Sequence, residues 1–442
     1  MEPCDLLVSA PWVLPVAPQN VALPHHAIAV SAGRIVALDD AALLAERFTP
    51  AETLHLDNHI LLPGLVNAHG HAAMTLLRGA GEDQMLQAWL EETIWPLESR
   101  LMSPEFVALG TELAIAEMLA SGTTTFSDMY FFPEVTAETA SRLGMRAQVA
   151  FPVIEFPNAW SNNVAEGLHK GLELFHEHIH NPLVTIALGP HAAYTVSPQN
   201  LAKVAMYANE VDTPVQIHLH ENEAEVAIAH EQAGKTWVQV LADAELLGPG
   251  LQAVHMTTVN DEDFALIADS GTQVVHCPTS NLKLASGYCD VQRFTAAGVN
   301  VGLGTDGAAS NNCLDLFSEL RVAALLAKHE SGDPTAGKAA DTLAMATIGG
   351  ARALGQEAHI GSLEVGKFAD FISVDARGLG MVPLHDPFAA LVHGQAGSRV
   401  DNVFVAGERL LANRQLARLD VDELTARIDA WQIEEFHGRS TN

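Results

Sequence analysis

A chain of 442 residues, 48% of them hydrophobic, can form one large barrel with a smaller module and is too apolar to be disordered. Its 54 acidic and 23 basic residues give a formal net charge of −31, which argues against nucleic acid and anionic membrane as partners. The four cysteines form no C-x-x-C pair and no apolar run reaches the ~18 residues of a membrane span, so we expect a cytoplasmic protein.

Short β-rich segments occur near both ends of the chain. Residues 28–38 contain two such runs on either side of Gly33, a pattern that predicts a β-hairpin. Similar runs occur at 370–374 and 403–408. We interpret these segments as one small β-sandwich module that is assembled from the two chain ends.

The middle of the chain alternates short apolar runs with helix-length segments such as 104–120 and 198–210. Eight apolar runs are strand candidates: 61–67, 123–128, 146–151, 184–189, 215–220, 252–255, 272–276 and 300–305. Eight β/α units predict a (β/α)8 barrel, and an open doubly wound sheet is the alternative. The predicted division is a barrel over 61–369 and a β module, with a terminal helix, from 1–60 and 370–442.

The first predicted barrel strand ends in a His-x-His pair, His69 and His71. Residues two apart in a strand face the same side, so both imidazoles can approach one point. Imidazole nitrogen is a common ligand of zinc and iron. Because the chain has 21 histidines, this pair alone is weak support for a metal site.

Three later strand candidates also end in residues that can bind a metal. His218 and His220 close one of them, with Glu221 next, His255 closes another, and Asp306 follows a third. Alternation predicts that His218 and His220 face the same side. Each histidine alone could be a core residue, but active sites of such barrels lie at the carboxyl ends of the strands. The set therefore predicts a metal site.

These strand-end residues are similar to those of the amidohydrolase superfamily. Within it, the chain most resembles the 5-methylthioadenosine/S-adenosylhomocysteine deaminases of the cytosine-deaminase and chlorohydrolase branch. The resemblance spans nearly the whole chain, and it rests on the His-x-His pair, on His218 with Glu221, on His255, and on the segments 305–312 and 361–370.

The resemblance implies the ligands of a metal centre, which are His69, His71, His218 and Asp306. Dinuclear members of the superfamily use a carboxylated lysine on the fourth strand, and residues 184–191 contain no lysine. We therefore expect one divalent ion, Zn²⁺, with Fe²⁺ as the alternative.

The same resemblance implies hydrolytic removal of an amino group from a purine ring. A divalent metal lowers the pKa of bound water from ~15.7 towards ~7, so that hydroxide is available at neutral pH. In this scheme Asp306 accepts the proton of the water, His255 holds and polarises its oxygen, and Glu221 protonates the adjacent ring nitrogen. For Glu221 alone, a solvated acid at a strand end is an equally good interpretation.

Four further residues match substrate contacts of the resembled family. By that match Glu98 accepts hydrogen bonds from the ribose hydroxyls, and Trp89 packs against the ligand. An amphipathic helix, with Trp89 in its core and Glu98 solvated, is the alternative. His191 would lie against the purine and Ser310 would reach its imidazole edge, although Ser310 could also be a helix N-cap.

The loop at 152–163 suggests a substrate preference, because it contains no arginine or lysine. An S-adenosylhomocysteine carboxylate would be buried there without a cation, which costs several kcal/mol. We therefore expect conversion of 5′-methylthioadenosine to its inosine analogue and ammonia, with S-adenosylhomocysteine and adenosine as alternative substrates.

Other functions stay open from the residues alone. A guanine or cytosine deaminase or a triazine chlorohydrolase could use the same scaffold, and a metal-binding protein without turnover is a more distant alternative. The absence of C-x-x-C excludes the compact zinc deaminases. We expect a small purine nucleoside as the partner, no nucleic acid or membrane, and leave a homo-oligomer open.

Overall fold

The computed structural model describes residues 1–437 and confirms the predicted barrel with a β module. Five strands precede the barrel: β1 (Glu2–Val13), β2 (Leu23–Ser31), β3 (Arg34–Asp40), β4 (Phe48–His55) and β5 (His59–Pro63). Eight form it: β6 (Leu65–Asn67), β7 (Thr123–Met129), β8 (Arg146–Val153), β9 (Val184–Pro190), β10 (Val215–Leu219), β11 (Leu251–His255), β12 (Gln273–His276) and β13 (Val301–Leu303). Four follow it: β14 (Phe371–Asp375), β15 (Val400–Val405), β16 (Glu408–Ala412) and β17 (Gln415–Leu416).

The barrel strands are parallel and lie side by side in chain order from β6 to β13. The Ala68 amide, just after β6, donates to the carbonyl of Leu303 in β13 over 2.8 Å and so links the first and last barrel strands. In such a barrel the carboxyl ends of all strands open on one face, so residues that follow the strands converge there.

The helices lie mainly between the barrel strands. They are α1 (Ala41–Arg47), α2 (Leu86–Ala88), α3 (Trp95–Leu101), α4 (Pro104–Ala120), α5 (Pro133–Leu143), α6 (Val164–His178), α7 (Pro198–Val211), α8 (Glu223–Ala233), α9 (Trp237–Asp243), α10 (Asp261–Ser270), α11 (Pro278–Lys283), α12 (Val291–Ala296), α13 (Leu316–Ser331), α14 (Ala339–Ala344), α15 (Gly350–Ala353), α16 (Pro387–His393) and α17 (Val421–Gln432). Short 3₁₀ or π-helical segments are Ala72–Leu77, Trp89–Ile94, Met345–Gly349, Gly397–Arg399 and Ile433–His437.

Local sequence explains where several of these helices begin. The side chains of Ser103, Asn163 and Asn260 each accept a hydrogen bond from an amide in the first turn of the helix that follows. Such caps satisfy amides that have no partner within the helix. The helices that were predicted over 104–120 and 198–210 are present as α4 and α7.

The predicted first strand, 61–67, is two strands that belong to different sheets. β5 pairs with β1 and β14 of the module, whereas β6 pairs with β7 of the barrel. The chain changes sheets at Gly64, whose amide donates to the Asp370 carbonyl over 3.0 Å. A Cβ atom at Gly64 would lie 2.1 Å from Thr124 Oγ1, so only glycine fits at this crossing.

The β module is one nine-stranded mixed sheet, in which β5 lies between the N-terminal and C-terminal strands. The predicted hairpin joins β2 and β3, with Ala32 and Gly33 in the left-handed backbone region that its tight turn needs. The domain boundaries at 60–61 and 369–370 stay a prediction, and residues 438–442 of the predicted last segment lie outside the described residues.

A buried ion pair joins the module to the barrel. Arg146, the first residue of β8, donates to both oxygens of Asp370, which directly precedes β14. Arg146 also donates to the Pro182 carbonyl, and Asp370 accepts from the Ala406 amide.

No helix within residues 1–437 has the length and apolar character that crossing a membrane requires.

Candidate metal centre and active site

Four side chains at the ends of barrel strands point their ligand atoms at one small region. His69 and His71 follow β6, His218 is in β10, and Asp306 follows β13. One ligand atom from each lies within 4.8 Å of all the others. Asp306 Oδ1 is 3.4 Å from His69 Nε2 and 3.2 Å from His71 Nε2, and the Nε2 atoms of His69 and His218 are 3.2 Å apart. The structure thus brings the four predicted ligands together.

The three imidazoles are held so that the same ring nitrogen faces the centre. Nδ1 of His71 donates to the Met129 carbonyl over 2.6 Å, and Nδ1 of His218 donates to the His191 carbonyl over 2.9 Å. Nδ1 of His69 donates to Gln216 Oε1 over 2.9 Å. Each Nε2 is therefore left with a lone pair toward the other ligands, which is the usual arrangement of metal-binding histidines.

Asp306 completes this donor set as an anion. Burial opposes ionisation, but the His69 and His71 imidazoles beside its Oδ1 hold the pKa of Asp306 well below its usual range. Its second oxygen, Oδ2, accepts from Ser280 at 2.7 Å and from Ser310 at 2.9 Å. Three imidazole nitrogens and one carboxylate oxygen fit a divalent transition-metal ion.

Strained backbone occurs at the strand ends that carry these residues. The φ angles of His220, His255 and Asp306 are 52°, 77° and 59°, a region that non-glycine residues rarely occupy. Hydrogen bonds between neighbouring strand ends stabilise this backbone conformation. One of them runs from the Asp306 amide to the His69 carbonyl over 3.1 Å. Local strain of this kind is often found at active sites.

His220 differs from the sequence expectation. Alternation ends with β10 at Leu219, and the left-handed turn at His220 directs its Nδ1 to the Thr258 carbonyl, 2.9 Å away. His220 is absent from the group of ligand atoms and from the cavity lining. The prediction that His218 and His220 share a face was therefore wrong, because the strand pattern does not extend to His220.

Glu221 and His255 lie next to the ligands. Burial, together with the charge of Asp306, raises the pKa of Glu221 to about 8, so this carboxyl group is protonated at neutral pH. Its Oε2 lies 3.9 Å from His255 Nε2. His255 Nδ1 donates to Asn281 Oδ1 over 2.8 Å, and burial lowers the pKa of His255, which keeps its ring neutral.

A cavity of about 630 Å³ extends from these residues. Nine of the ten residues predicted for the site line it, and the tenth, His69, is fully buried. The nine are His71, Trp89, Glu98, His191, His218, Glu221, His255, Asp306 and Ser310. The cavity has the size and the largely apolar lining of a small-molecule site, with a few polar groups that can orient a ligand.

Glu98 is a partly buried carboxyl group in the cavity wall. Burial raises the pKa of Glu98 to about 7, and the Tyr130 hydroxyl donates to its Oε1 over 2.7 Å. The other oxygen, Oε2, remains available to a ligand in the cavity. Trp89 is also buried, and its indole N–H donates to the Ala80 carbonyl over 3.3 Å, which orients the ring. Glu98 thus lies in the cavity wall rather than on the open surface, while Trp89 also belongs to a buried apolar cluster.

His191 and Ser310 occupy the same cavity as neutral groups. Burial lowers the pKa of His191 to about 3, and its Nδ1 lies 3.1 Å from Thr195 Oγ1. Its carbonyl also orients His218, so one residue serves both the metal centre and the cavity wall. Ser310 donates to Asp306, a contact that the sequence did not predict.

Sequence reasoning missed several residues that support the site. They are Asp128, Tyr130, Gln216, Ser280 and Asn281. Tyr130 could have been found, because it directly follows β7, as His69 and Asp306 follow their strands. Gln216 lies two residues before His218 and so shares its face of β10, but a glutamine gives no signal by itself.

The comparisons with known proteins agree with this geometry. The profile of the amidohydrolase family matches residues 60–410. The chain belongs to the amidohydrolase family. Proteins named 5-methylthioadenosine/S-adenosylhomocysteine deaminase are similar to this chain: that of Teredinibacter turnerae is 47% identical and aligned over 97% of both chains. That of Saccharophagus degradans is 44% identical over 98% of this chain and 97% of its own.

Two solved structures are also similar to this one. An adenosine deaminase from Xanthomonas campestris with bound zinc is 46% identical, with a TM-score of 0.97 over 98% of this chain and 99% of its own. Atrazine chlorohydrolase TrzN from Arthrobacter aurescens, complexed with zinc, is 25% identical, with a TM-score of 0.89 over 96% and 99%.

Proposed function

We propose that this amidohydrolase is a metal-dependent hydrolytic deaminase that converts 5′-methylthioadenosine to its inosine analogue and ammonia. The observation that carries the proposal is one cavity lined by a protonated carboxyl group, Glu221, by the histidine–aspartate centre, and by a second carboxyl group, Glu98. Glu221 and the histidine–aspartate centre suit deamination of a purine ring, and Glu98 suits the binding of a ribose. The names and zinc content of the similar proteins support the same function.

The proposed cofactor is a single Zn²⁺ ion held by His69, His71, His218 and Asp306, with Fe²⁺ as the alternative. A bound divalent ion supplies the positive charge that makes a water molecule acidic enough to act as a nucleophile near neutral pH. A single ion is favoured because β9, the fourth barrel strand, contains no lysine that could bridge a second one.

Two side chains transfer protons in the proposed reaction, and a third orients the attacking water. Asp306 takes a proton from the attacking water and passes it to the leaving amino group, which departs as ammonia. Glu221 gives its proton to the ring nitrogen beside the attacked carbon and recovers one when the carbonyl forms. His255, which is neutral, accepts a hydrogen bond from the water through Nε2 and so orients the attacking oxygen.

The remaining cavity residues suit the binding of a nucleoside. Glu98 accepts from the ribose hydroxyls through Oε2, since Tyr130 occupies Oε1. Trp89 gives an apolar wall, His191 contacts the purine, and Ser310 is close enough to Asp306 to serve both the ring and the carboxylate. A free base has no ribose, and it would leave Oε2 of Glu98 without a ligand hydroxyl.

The charge of the cavity supports a preference for 5′-methylthioadenosine over S-adenosylhomocysteine. Within residues 1–437, no arginine or lysine lines the cavity, and the loop after β8 contributes Ile154, Phe156 and Pro157. The acid in that loop, Glu155, is held by the Ser197 amide and the Asn200 side chain. A methylthio group fits such a wall, whereas an amino acid carboxylate would lack a cation.

Ammonia release by the zinc-loaded protein tests the function and the preference together. We expect turnover of 5′-methylthioadenosine, slower turnover of adenosine and S-adenosylhomocysteine, and none of guanine, cytosine or atrazine. Turnover of a free base or of atrazine alone would contradict the nucleoside assignment. Equal kcat/KM for 5′-methylthioadenosine and S-adenosylhomocysteine would contradict the argument from cavity charge.

A substitution in the loop sharpens the test of preference. Phe156→Arg should raise kcat/KM for S-adenosylhomocysteine relative to 5′-methylthioadenosine by about tenfold, because it supplies the missing cation. Phe156→Leu, which adds no charge, is the matched control and should leave the ratio unchanged. The same ratio in both variants would contradict the interpretation.

The proposed setting is the cytoplasm, with free nucleosides as partners and neither nucleic acid nor membrane. All four cysteines are free, which suits a reducing compartment. The net charge of −31 disfavours polyanions.

A further inference from the structure

Three glutamine side chains form a hydrogen-bonded chain inside the barrel and end at His69. Gln148, Gln216 and Gln252 lie in β8, β10 and β11, and all three are at most 1% exposed. Gln148 Nε2 donates to the Leu354 carbonyl over 3.2 Å, and Gln252 Nε2 donates to Gln148 Oε1 over 2.8 Å. Gln216 Nε2 donates to Gln252 Oε1 over 2.7 Å, and Gln216 Oε1 accepts from His69 Nδ1 at 2.9 Å.

The direction of the hydrogen bonds between the three glutamines is set at the end that lies farthest from His69. The Leu354 carbonyl can only accept, so Gln148 must direct its amino group there and its oxygen toward Gln252. The same constraint then passes to Gln252 and to Gln216. Gln216 Nε2 also lies 3.2 Å from the Ala68 carbonyl, another group that can only accept. A flipped Gln216 would place two oxygens against each other in a buried space.

This direction determines the state of the His69 ring. Since Gln216 presents an oxygen, Nδ1 of His69 must carry the hydrogen, which leaves the lone pair on Nε2 beside Asp306. His71 and His218 are oriented by backbone carbonyls, which no substitution removes. His69 depends instead on side chains, and Gln216 is 147 positions away from it in the chain.

We propose that Gln216, oriented by Gln252 and Gln148, is the positioning residue of the metal centre and fixes His69 as an Nε2 ligand. The inference rests on the proposed metal site. It goes beyond that proposal by assigning a role to barrel-core residues that neither line the substrate cavity nor supply a ligand atom. Residues that orient metal ligands typically change metal affinity by 10–100-fold when they are replaced.

Zinc affinity of the full-length protein, measured by competition with a chromophoric chelator, tests the inference. Gln216→Met retains a similar length but removes the acceptor, and we expect the zinc dissociation constant to rise about 10–100-fold. The matched control is Gln356→Met, since Gln356 is also largely buried but bonds to Thr185 outside the chain of amides. A dissociation constant within about twofold of wild type in Gln216→Met, or an equal rise in the control, would overturn the proposal.

A spectroscopic measurement separates positioning from general packing. In the Co²⁺-loaded protein, each ligand imidazole with a protected Nδ1–H should give one exchangeable, paramagnetically shifted proton signal. We expect three such signals in wild type and in Gln356→Met, and two sharp signals in Gln216→Met, because Nδ1–H of His69 loses its acceptor. Three unchanged signals in Gln216→Met would refute the role.

A second variant keeps the test valid if Gln216→Met does not fold. Gln252→Met removes one of the acceptors that orient the Gln216 amide and leaves the Ala68 carbonyl in place. We expect zinc binding to weaken in the same direction but by less than in Gln216→Met, whereas unchanged binding would overturn the proposal. If wild type itself does not bind zinc, the proposed metal centre fails. If wild type binds zinc and the glutamine variants bind it equally well, only the positioning role fails.

Discussion

At the residue scale, Glu221 is the group whose protonation matters most to the proposed chemistry. Burial raises its pKa to about 8, so it enters the reaction with a proton that it can donate. Glu221→Gln should retain zinc but reduce kcat at pH 7 by about 10²–10⁴-fold, because the amide cannot transfer a proton. Metal analysis and ammonia release on the same sample measure both quantities. Glu223→Gln, at an exposed position two residues later, is the control, and equal rates in both variants would refute the assignment.

Tyr130 illustrates how a supporting residue can affect substrate binding. Its hydroxyl donates to one oxygen of Glu98, so that the other oxygen can accept from a ribose. Tyr130→Phe should lower kcat/KM for 5′-methylthioadenosine about tenfold, mainly through KM, because a hydrogen bond of ~1.5 kcal/mol that orients the Glu98 carboxyl group is lost. Steady-state kinetics with 2′,3′-dideoxyadenosine serve as the control, since this compound has no hydroxyls for Glu98. A similar loss with both substrates would argue against the ribose contact.

At the scale of secondary-structure elements, one buried ion pair connects the barrel to the β module. Arg146 of β8 and Asp370 before β14 are both at most 3% exposed. Asp370→Asn should lower the free energy of unfolding by about 3–5 kcal/mol, because it leaves the guanidinium buried without its partner. Urea unfolding measures the loss.

The control for this prediction is an exposed pair of the same type. Asp261→Asn removes the partner of Arg293 at the surface, where water screens the charges. We expect a much smaller effect than for Asp370→Asn. Equal losses in the two variants would mean that the barrel–module pair does not contribute through its burial.

At the scale of the whole molecule, the net charge of −31 should make stability depend on salt. Repulsion among the excess carboxylates destabilises the compact state, and salt screens it. We expect the melting temperature at pH 7.5 to rise between 20 mM and 500 mM NaCl. The same titration near the isoelectric point is the control, because the excess charge is then absent. An equal rise at both pH values would contradict the explanation by charge repulsion.

Much of the barrel and its metal ligands could be predicted because the relevant signals are local. Alternating apolar runs set the strands, and His69, His71, His218, His255 and Asp306 all lie at or just beyond strand ends. The barrel rule then brings those ends to one face. The same local reasoning failed at Gly64, where the chain changes sheets, and at His220, where a left-handed turn ends the alternation.

The sequence by itself determined the barrel, the His-x-His pair and the acid beside His218, because these depend on periodicity and on residue type. Only the tertiary structure decided which ring nitrogen of His69 faces the centre and that Glu221 holds its proton. The physical reason is that both depend on partners distant in the chain: Gln216 lies 147 positions from His69, and burial among several strands raises the pKa of Glu221. Local pattern selects the reactive residues, and long-range packing sets their orientation and protonation.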